Sequence, residues 1–191
     1  MKPRELLDVL HVAEKLKDAT RHCDTSGGRR ESVAEHSWRA ALMAYFIKDE
    51  FPEADIDKVI KMCLIHDLGE AFTGDIPTFE KTQADEEKEE KLLYEWINTF
   101  SKPLRDEMLF LFREMAERKT TEAKIFKAID SLEAVIQHNE ADIETWIPYE
   151  YELNKTYAYD KVEFSEYLKE LRGEMKKDTL IKIDEKHKKS L

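Results

Sequence analysis

Glycine and proline are scarce in this chain, five of each among 191 residues, and cysteine is scarcer still at two. So few turn-formers, together with 38% charged residues, argue against a turn-rich β protein and for helices with solvated outer faces. Cys23 and Cys63 form no C-x-x-C pair. Cys63 falls on an apolar helical face, so buried free thiols are expected in place of a disulfide or a metal knuckle. Long apolar runs are missing too. The longest, Ala40 to Ile47, is far short of the roughly 20 residues that span a bilayer, and Met1-Lys2-Pro3-Arg4-Glu5 has no apolar signal segment. A cytoplasmic protein with no membrane partner is expected. Positive charge is also in deficit: the formal net charge is −11, which repels a polyanion and excludes nucleic acid as a partner.

Hydrophobic residues, at 41%, suffice for a core, and no break in composition asks for a second domain, so one domain over residues 1–191 is expected. Apolar residues at three- and four-residue spacing predict an amphipathic first helix over Arg4 to about Lys17, with Leu6, Leu7, Leu10, Ala13 and Leu16 on one stripe. Ala19 to Glu31 contains Gly27-Gly28 and reads as a loop. Ser32-Val33-Ala34-Glu35 fits a capping box, so a second helix starts there and runs to about Glu50. Asp55 or Asp57 caps the next helix, which leads into His66, with Gly69 as its C-terminal signal. Thr73 to Pro77 is a turn that brings Glu70 and Asp75 back beside that helix end. Helices follow over the charge run from Gln83 to about Phe100 and over Leu104 to about Glu117, where Pro103 suits position N1. Another runs from Thr120 to Glu140. Residues 142–159 are aromatic-rich and less periodic, a final helix spans about Val162 to Met175, and the lysine-rich end from Lys176 reads as a helical or frayed tail.

Ionisable residues stand where these helices should be apolar. His36 shares a stripe with Ala40, Met43, Ala44 and Ile47; His66-Asp67 ends an apolar run; Asp130 lies one turn from both Phe126 and Ala134. Burying an imidazole or a carboxylate without partners costs several kcal/mol, about 2–7 for a polar group alone, and a metal ion removes that cost. Two nitrogen and two oxygen ligands from three helices suit a divalent metal that keeps a position open for water or substrate. Two alternatives stay open: a satisfied core histidine at His36, and a buried salt bridge at Asp130. His138 lies two turns beyond Asp130, about 12 Å along a helix, and cannot share that metal. Arg21, His22, Arg29 and Arg30 cluster in the basic loop; for Arg29 and Arg30 a solvated surface and a role in the site are both open.

In this order, His36, His66-Asp67 and Asp130 resemble the H…HD…D signature of the HD-domain metal-dependent phosphohydrolases. Glu35-His36-Ser37, Glu70 and Thr73-Gly74-Asp75-Ile76-Pro77-Thr78, then Ile129-Asp130-Ser131-Leu132-Glu133, narrow the resemblance to that superfamily's 5′-deoxynucleotidase branch. The resemblance implies an all-α, single-domain helical globule with the metal site between helices. Its metal and catalytic core covers about residues 21–140, and a helical extension about 141–191. It further implies His36, His66, Asp67 and Asp130 as ligands of one divalent ion, Glu70 and Asp75 as catalytic carboxylates, Arg21 as the phosphate-binding residue, and a homodimer. Where that branch has Arg-Trp, this chain has Arg21-His22, so the residue against the sugar differs.

The expected reaction is removal of the 5′-phosphate from (deoxy)nucleoside monophosphates. Glu70 would orient the attacking water or take its proton, Asp75 would protonate the leaving 5′ oxygen, and Arg21 would neutralise the phosphoryl oxygens. The rivals are a phosphohydrolase for an alarmone or nucleoside triphosphate, and a non-catalytic metal- or nucleotide-binding module. A triphosphate would need more cations than Arg21, so the placement of Arg29 and Arg30 discriminates. A His₂Asp₂ set accepts Co, Mn, Fe, Zn, Ni or Mg, and the sequence does not choose among them.

Overall fold

The site is held by three helices that pack on one another, α2 (Val33–Phe46), α3 (Ile56–Ile65) and α7 (Thr121–Glu140). In the computed structural model, which describes residues 1–189, α7 is the central element. Ile125, Ile129 and Leu132 on it are fully buried against Val33, Ala40 and Ala44 of α2 and Val59, Met62 and Cys63 of α3. Truncating one such residue, Ile129→Ala for example, costs about 2–5 kcal/mol. Each helix starts where a side chain satisfies its orphan amides. In α2, Ser32 Oγ accepts from Glu35 N at 3.3 Å while Glu35 Oε2 accepts from Ser32 N at 2.9 Å. For α3 the cap is Asp55, not Asp57: its Oδ1 accepts from Lys58 N at 3.0 Å. Thr120 caps α7, accepting from Ala123 N at 3.2 Å.

Around this core run α1 (Pro3–Glu14), the short α4 (Glu70–Thr73), α5 (Gln83–Ile97), α6 (Lys102–Glu117), α8 (Glu150–Thr156), α9 (Tyr159–Val162) and α10 (Glu166–Lys189). The fold is all-α apart from one antiparallel ribbon. No described helix is long and apolar enough to cross a membrane.

Four elements depart from expectation. Residues 19–31 hold a hairpin, β1 (Thr20–Asp24) paired with β2 (Arg30–Ser32) through a turn in which Gly28 has φ +79°. Its inward residues include Arg21 and Glu31, so no apolar alternation announces the strands. The α2 helix stops at Phe46, and Lys48–Glu50 is a 3-10 turn. Gly69 does not end α3. The helix stops at Ile65, and Gly69 sits in right-handed geometry as the N-cap of α4; a Cβ there would lie 2.8 Å from Glu89 Cγ of α5. Of the two readings of the lysine-rich end the helical one holds: it continues α10, because Met175, Thr179 and Ile183 recur every four residues and are buried. Finally, α1 fully buries none of its residues: Leu6, Leu7 and Leu10 are exposed, while half-buried Val12 and Ala13 pack against the core that Leu16 beyond the helix joins.

Smaller adjustments concern Pro103, which takes the second helical position after the N-cap Ser101, and residues 142–159, which form a 3-10 turn with α8 and most of what precedes α9. Arg172 of α10 is fully buried and donates to Tyr157 O at 2.8 Å and Asn154 O at 2.7 Å. It therefore satisfies carbonyls at the C-terminal end of α8 and stacks over Tyr159 with 4.6 Å to the ring centroid.

Candidate metal centre and active site

His36 rises from α2, fully buried; His66 is the C-cap of α3 and Asp67 follows it; Asp130 stands mid-way along α7. Their ligand atoms converge. His36 Nε2 lies 3.3 Å from His66 Nε2 and 3.1 Å from Asp130 Oδ1. His66 Nε2 lies 3.0 Å from Asp67 Oδ2 and 3.5 Å from Asp130 Oδ1, and His36 Nε2 is 3.8 Å from Asp67 Oδ2. Ligands about 2.1 Å from one ion stand about 3.0–3.4 Å apart in octahedral or tetrahedral geometry. Three of the five separations, 3.0, 3.1 and 3.3 Å, fall on those edges, and the other two, 3.5 and 3.8 Å, are wider.

The tautomers fit as well. His66 Nδ1 donates to Cys63 O at 2.8 Å, and His36 Nδ1 donates to Glu133 Oε2. Both Nε2 lone pairs are therefore free to face the cluster, the usual second-sphere arrangement for a metal-bound histidine. Glu133 in turn accepts from Arg39 Nε at 2.6 Å, and Arg39 Nη2 donates to Gln137 Oε1 at 2.6 Å. Asp130 offers Oδ1 to the cluster and keeps Oδ2 on Lys127 Nζ at 2.7 Å. The salt bridge and the place in the cluster thus belong to different oxygens of one carboxylate.

Arg21 of β1 reaches over this cluster, with Nη1 3.9 Å from Asp67 Oδ2 and Nε 3.2 Å from Glu31 Oε2. Burial opposes its charge, but Asp67, Glu133 and Glu31 outweigh that and hold the guanidinium firmly protonated. Glu70, the first residue of α4, is 6% exposed. Burial, then Asp67 and Asp75, push its carboxyl up to about 9, and its Oε2 has no hydrogen-bond partner among the described residues. A buried, orphaned carboxyl oxygen beside converging histidines and aspartates is what a metal centre with a bound water satisfies. Asp75 lies just beyond Gly74, whose φ of +76° turns the chain back. Its carboxyl is raised, first by burial and then by Asp67, against Arg21 and Lys81.

His22 does not join the cluster. Its Nε2 is 3.1 Å from Glu150 Oε1, a buried carboxylate that also lies 3.6 Å from His138 Nε2. Its ring meets the edge of Phe79 at 5.3 Å, and Phe79 meets Tyr149 at 6.0 Å. Arg29 pairs with Glu35, and Arg30 with Asp24 at 3.4 Å, both largely exposed. Lys81 and its partner Glu89, 2.8 Å apart, approach Glu70 from the α5 side. Sequence reasoning gave no role to Glu31, Glu133, Lys127 or Lys81. For Glu133 a signal exists, since it stands among Ile129, Leu132, Val135 and Ile136 on the buried side of α7.

A helical globule whose central helices bring two histidines and two aspartates to one point, under an arginine, defines an HD-type domain with a divalent-metal centre. The chain belongs to the HD-domain family, whose model matches residues 13–172. It is 30% identical over 177 residues to the 5′-deoxynucleotidase HDDC2 of Dictyostelium discoideum, covering 87% of this chain and 88% of that protein. It is also 30% identical over 141 residues to the human protein of the same name, covering 72% of this chain and 68% of the other. Among solved structures it is similar to a predicted metal-dependent phosphohydrolase from Magnetospirillum magnetotacticum MS-1. That match has a TM-score of 0.80 and 25% identity, over 93% of this chain and 92% of the other.

Proposed function

We propose that this chain is a metal-dependent 5′-nucleotidase that removes the 5′-phosphate from (deoxy)nucleoside monophosphates, working as one domain over residues 1–191. The observation that carries the reading is the convergence of His36, His66, Asp67 and Asp130, with ligand-atom separations from 3.0 to 3.8 Å. The 5′-deoxynucleotidase names of relatives at 30% identity support it. Those four side chains hold one divalent ion, of the set Co, Mn, Fe, Zn, Ni or Mg. When bound, such an ion acts as a Lewis acid toward a phosphoryl oxygen and lowers the pKa of its water.

The chain's own groups do the rest. Arg21 binds the non-bridging oxygens of the phosphate and neutralises their charge. Glu70 Oε2, buried and unpartnered, accepts the proton of the attacking water once cationic charge at the centre brings its carboxyl down from about 9. Asp75, whose carboxyl is raised, delivers a proton to the 5′ oxygen as it leaves. A buried carboxyl, Glu70, and a half-buried one, Asp75, both of raised pKa, argue for turnover, since a module that only binds a phosphate gains nothing from added carboxylates beside it. A longer phosphate chain is disfavoured because Arg29 and Arg30 are paired on the surface of their own hairpin region. The implied homodimer belongs to the same reading, and the exposed Leu6, Leu7 and Leu10 of α1 leave apolar surface for it.

The test is a phosphate-release screen of all ribo- and deoxyribonucleoside monophosphates, with nucleoside triphosphates alongside, against a panel of divalent metals. Release from monophosphates in the presence of a metal is expected. Release from triphosphates alone would overturn the reading.

A further inference from the structure

Glu31 is a carboxylate with 2% of its surface exposed, and the chemistry above makes no use of it. It stands on β2, and its Oε2 faces two groups of β1: Arg21 Nε at 3.2 Å and the Cys23 thiol, which donates to it at 3.2 Å. A second buried carboxylate, Glu133, lies close by, and atoms of Glu31, His36 and Glu133 fall within 4.8 Å of one another. Glu133 is engaged by His36 and Arg39. The Cys23 thiol, pushed up by burial and then by Glu31, stays neutral. Burial and then Glu133 raise the Glu31 carboxyl, and Arg21 is the first cation that opposes them; a buried charge left without its partner is strongly unfavourable.

The geometry of the guanidinium turns this pairing into a direction. Its five N–H groups form a rigid planar fork. Nε faces Glu31 Oε2 at 3.2 Å as an ion pair, without an aligned hydrogen bond, while Nη1 comes to 3.9 Å from Asp67 Oδ2 of the His/Asp cluster. We propose that Glu31 is the positioning residue of Arg21: it fixes the guanidinium so that its Nη edge faces the phosphate site over the metal centre. Ordering a long side chain is then part of folding instead of a cost met at each substrate encounter, which tightens phosphate binding without touching the bond-breaking step. The inference rests on the reading of Arg21 as the phosphate-binding group.

The experiment compares parent, Glu31→Ala, Glu31→Gln, Arg21→Gln and the Glu31→Ala/Arg21→Gln double variant, each loaded with metal. It measures KM and kcat for dAMP, inhibition by inorganic phosphate, and metal content. Glu31→Ala is expected to raise KM and the phosphate inhibition constant by about tenfold each, with kcat within about threefold of parent and metal content unchanged. Glu31→Gln, which keeps an acceptor oxygen at the same reach, recovers part of the loss. In the Arg21→Gln background, Glu31→Ala adds nothing further. A raised KM in Arg21→Gln beside a parental KM in Glu31→Ala, or additive losses in the double variant, overturns the positioning role alone. A parental KM in Arg21→Gln overturns the reading of Arg21 and the role of Glu31 with it. If Glu31→Ala does not fold, Glu31→Gln decides: a raised KM at parental kcat supports the proposal and an unchanged KM overturns it.

Discussion

Glu133 accepts the Nδ1 proton of His36 at the floor of the site, from the opposite side of the imidazole to the cluster. The carboxylate therefore fixes the tautomer and makes the ring a stronger base toward a cation. Glu133→Gln retains an acceptor but loses the charge. Its metal affinity is expected to fall about 10–100-fold, with activity recovered at saturating metal. A metal titration followed by activity checks this, and unchanged affinity would remove Glu133 from the metal centre.

Asp67→Ala is expected to lose both metal and activity while the fold survives. Chelation of the parent should lower its Tm, because an ion present at a hundred times its Kd stabilises the folded state by about 2.7 kcal/mol. Elemental analysis and thermal melts with and without chelator read these outcomes. A parent with no stoichiometric metal after soaking would defeat the central claim.

Glu70→Ala and Asp75→Ala separate catalysis from ligation. Each is expected to keep the metal and to lose turnover by roughly 10²–10⁴-fold. Loss of metal in either would make that residue a ligand, and near-parental rates would take it out of the mechanism.

His138 supplies a pH effect on stability that does not involve the metal. Burial, and then His22 and Arg21, depress its imidazole to about 4, while Glu133 opposes them more weakly; the Glu150 carboxylate 3.6 Å away stands nearer to His22. An unfolded chain takes up this proton near pH 6.5. Between about pH 6.5 and pH 4 the unfolded state thus binds the proton that the folded state refuses, and stability falls as pH falls through that window. The full shift corresponds to about 3 kcal/mol. His138→Phe should flatten Tm against pH over that range relative to parent, and identical slopes would exclude the effect.

The resemblance implies that His22 lies against the sugar, and the sugar preference is proposed to turn on it. A Trp at this position fills space where a 2′-hydroxyl would fit, whereas an imidazole is smaller and has nitrogens that hydrogen-bond a hydroxyl. A weaker preference for deoxy over ribo substrates is expected in the parent, with His22→Trp restoring it. The kcat/KM ratio for dAMP over AMP in both proteins measures this. A strong deoxy preference in the parent would sink the idea.

The helices were legible because their stripes and caps are local. Ser32 with Glu35, Asp55, and the apolar face of Thr120 to Glu140 all announce themselves within a few residues. The four converging side chains were legible for a related reason: each is a charge or imidazole on a face that should be apolar. The hairpin was not, since its inward positions are Arg21 and Glu31, which burial tolerates only through each other. Nor were Lys127 and Glu133 assigned partners, because a single charged residue on a helix gives no hint of which distant side chain it will meet. The α1 stripe misled in the opposite direction, as a regular apolar pattern that this chain leaves open to solvent.

The ligand set is also unevenly spread along the chain. His36 and His66 are separated by 30 positions, but His36 pairs with Asp130 across 94 and with Glu133 across 97. During synthesis, at about 5–20 residues per second, the chain through α3 already carries two histidines and Asp67, yet has neither Asp130, the fourth proposed ligand, nor the carboxylate that sets the His36 tautomer. On the proposed ligand set, tight loading of the ion must wait until α7 has left the ribosome and docked.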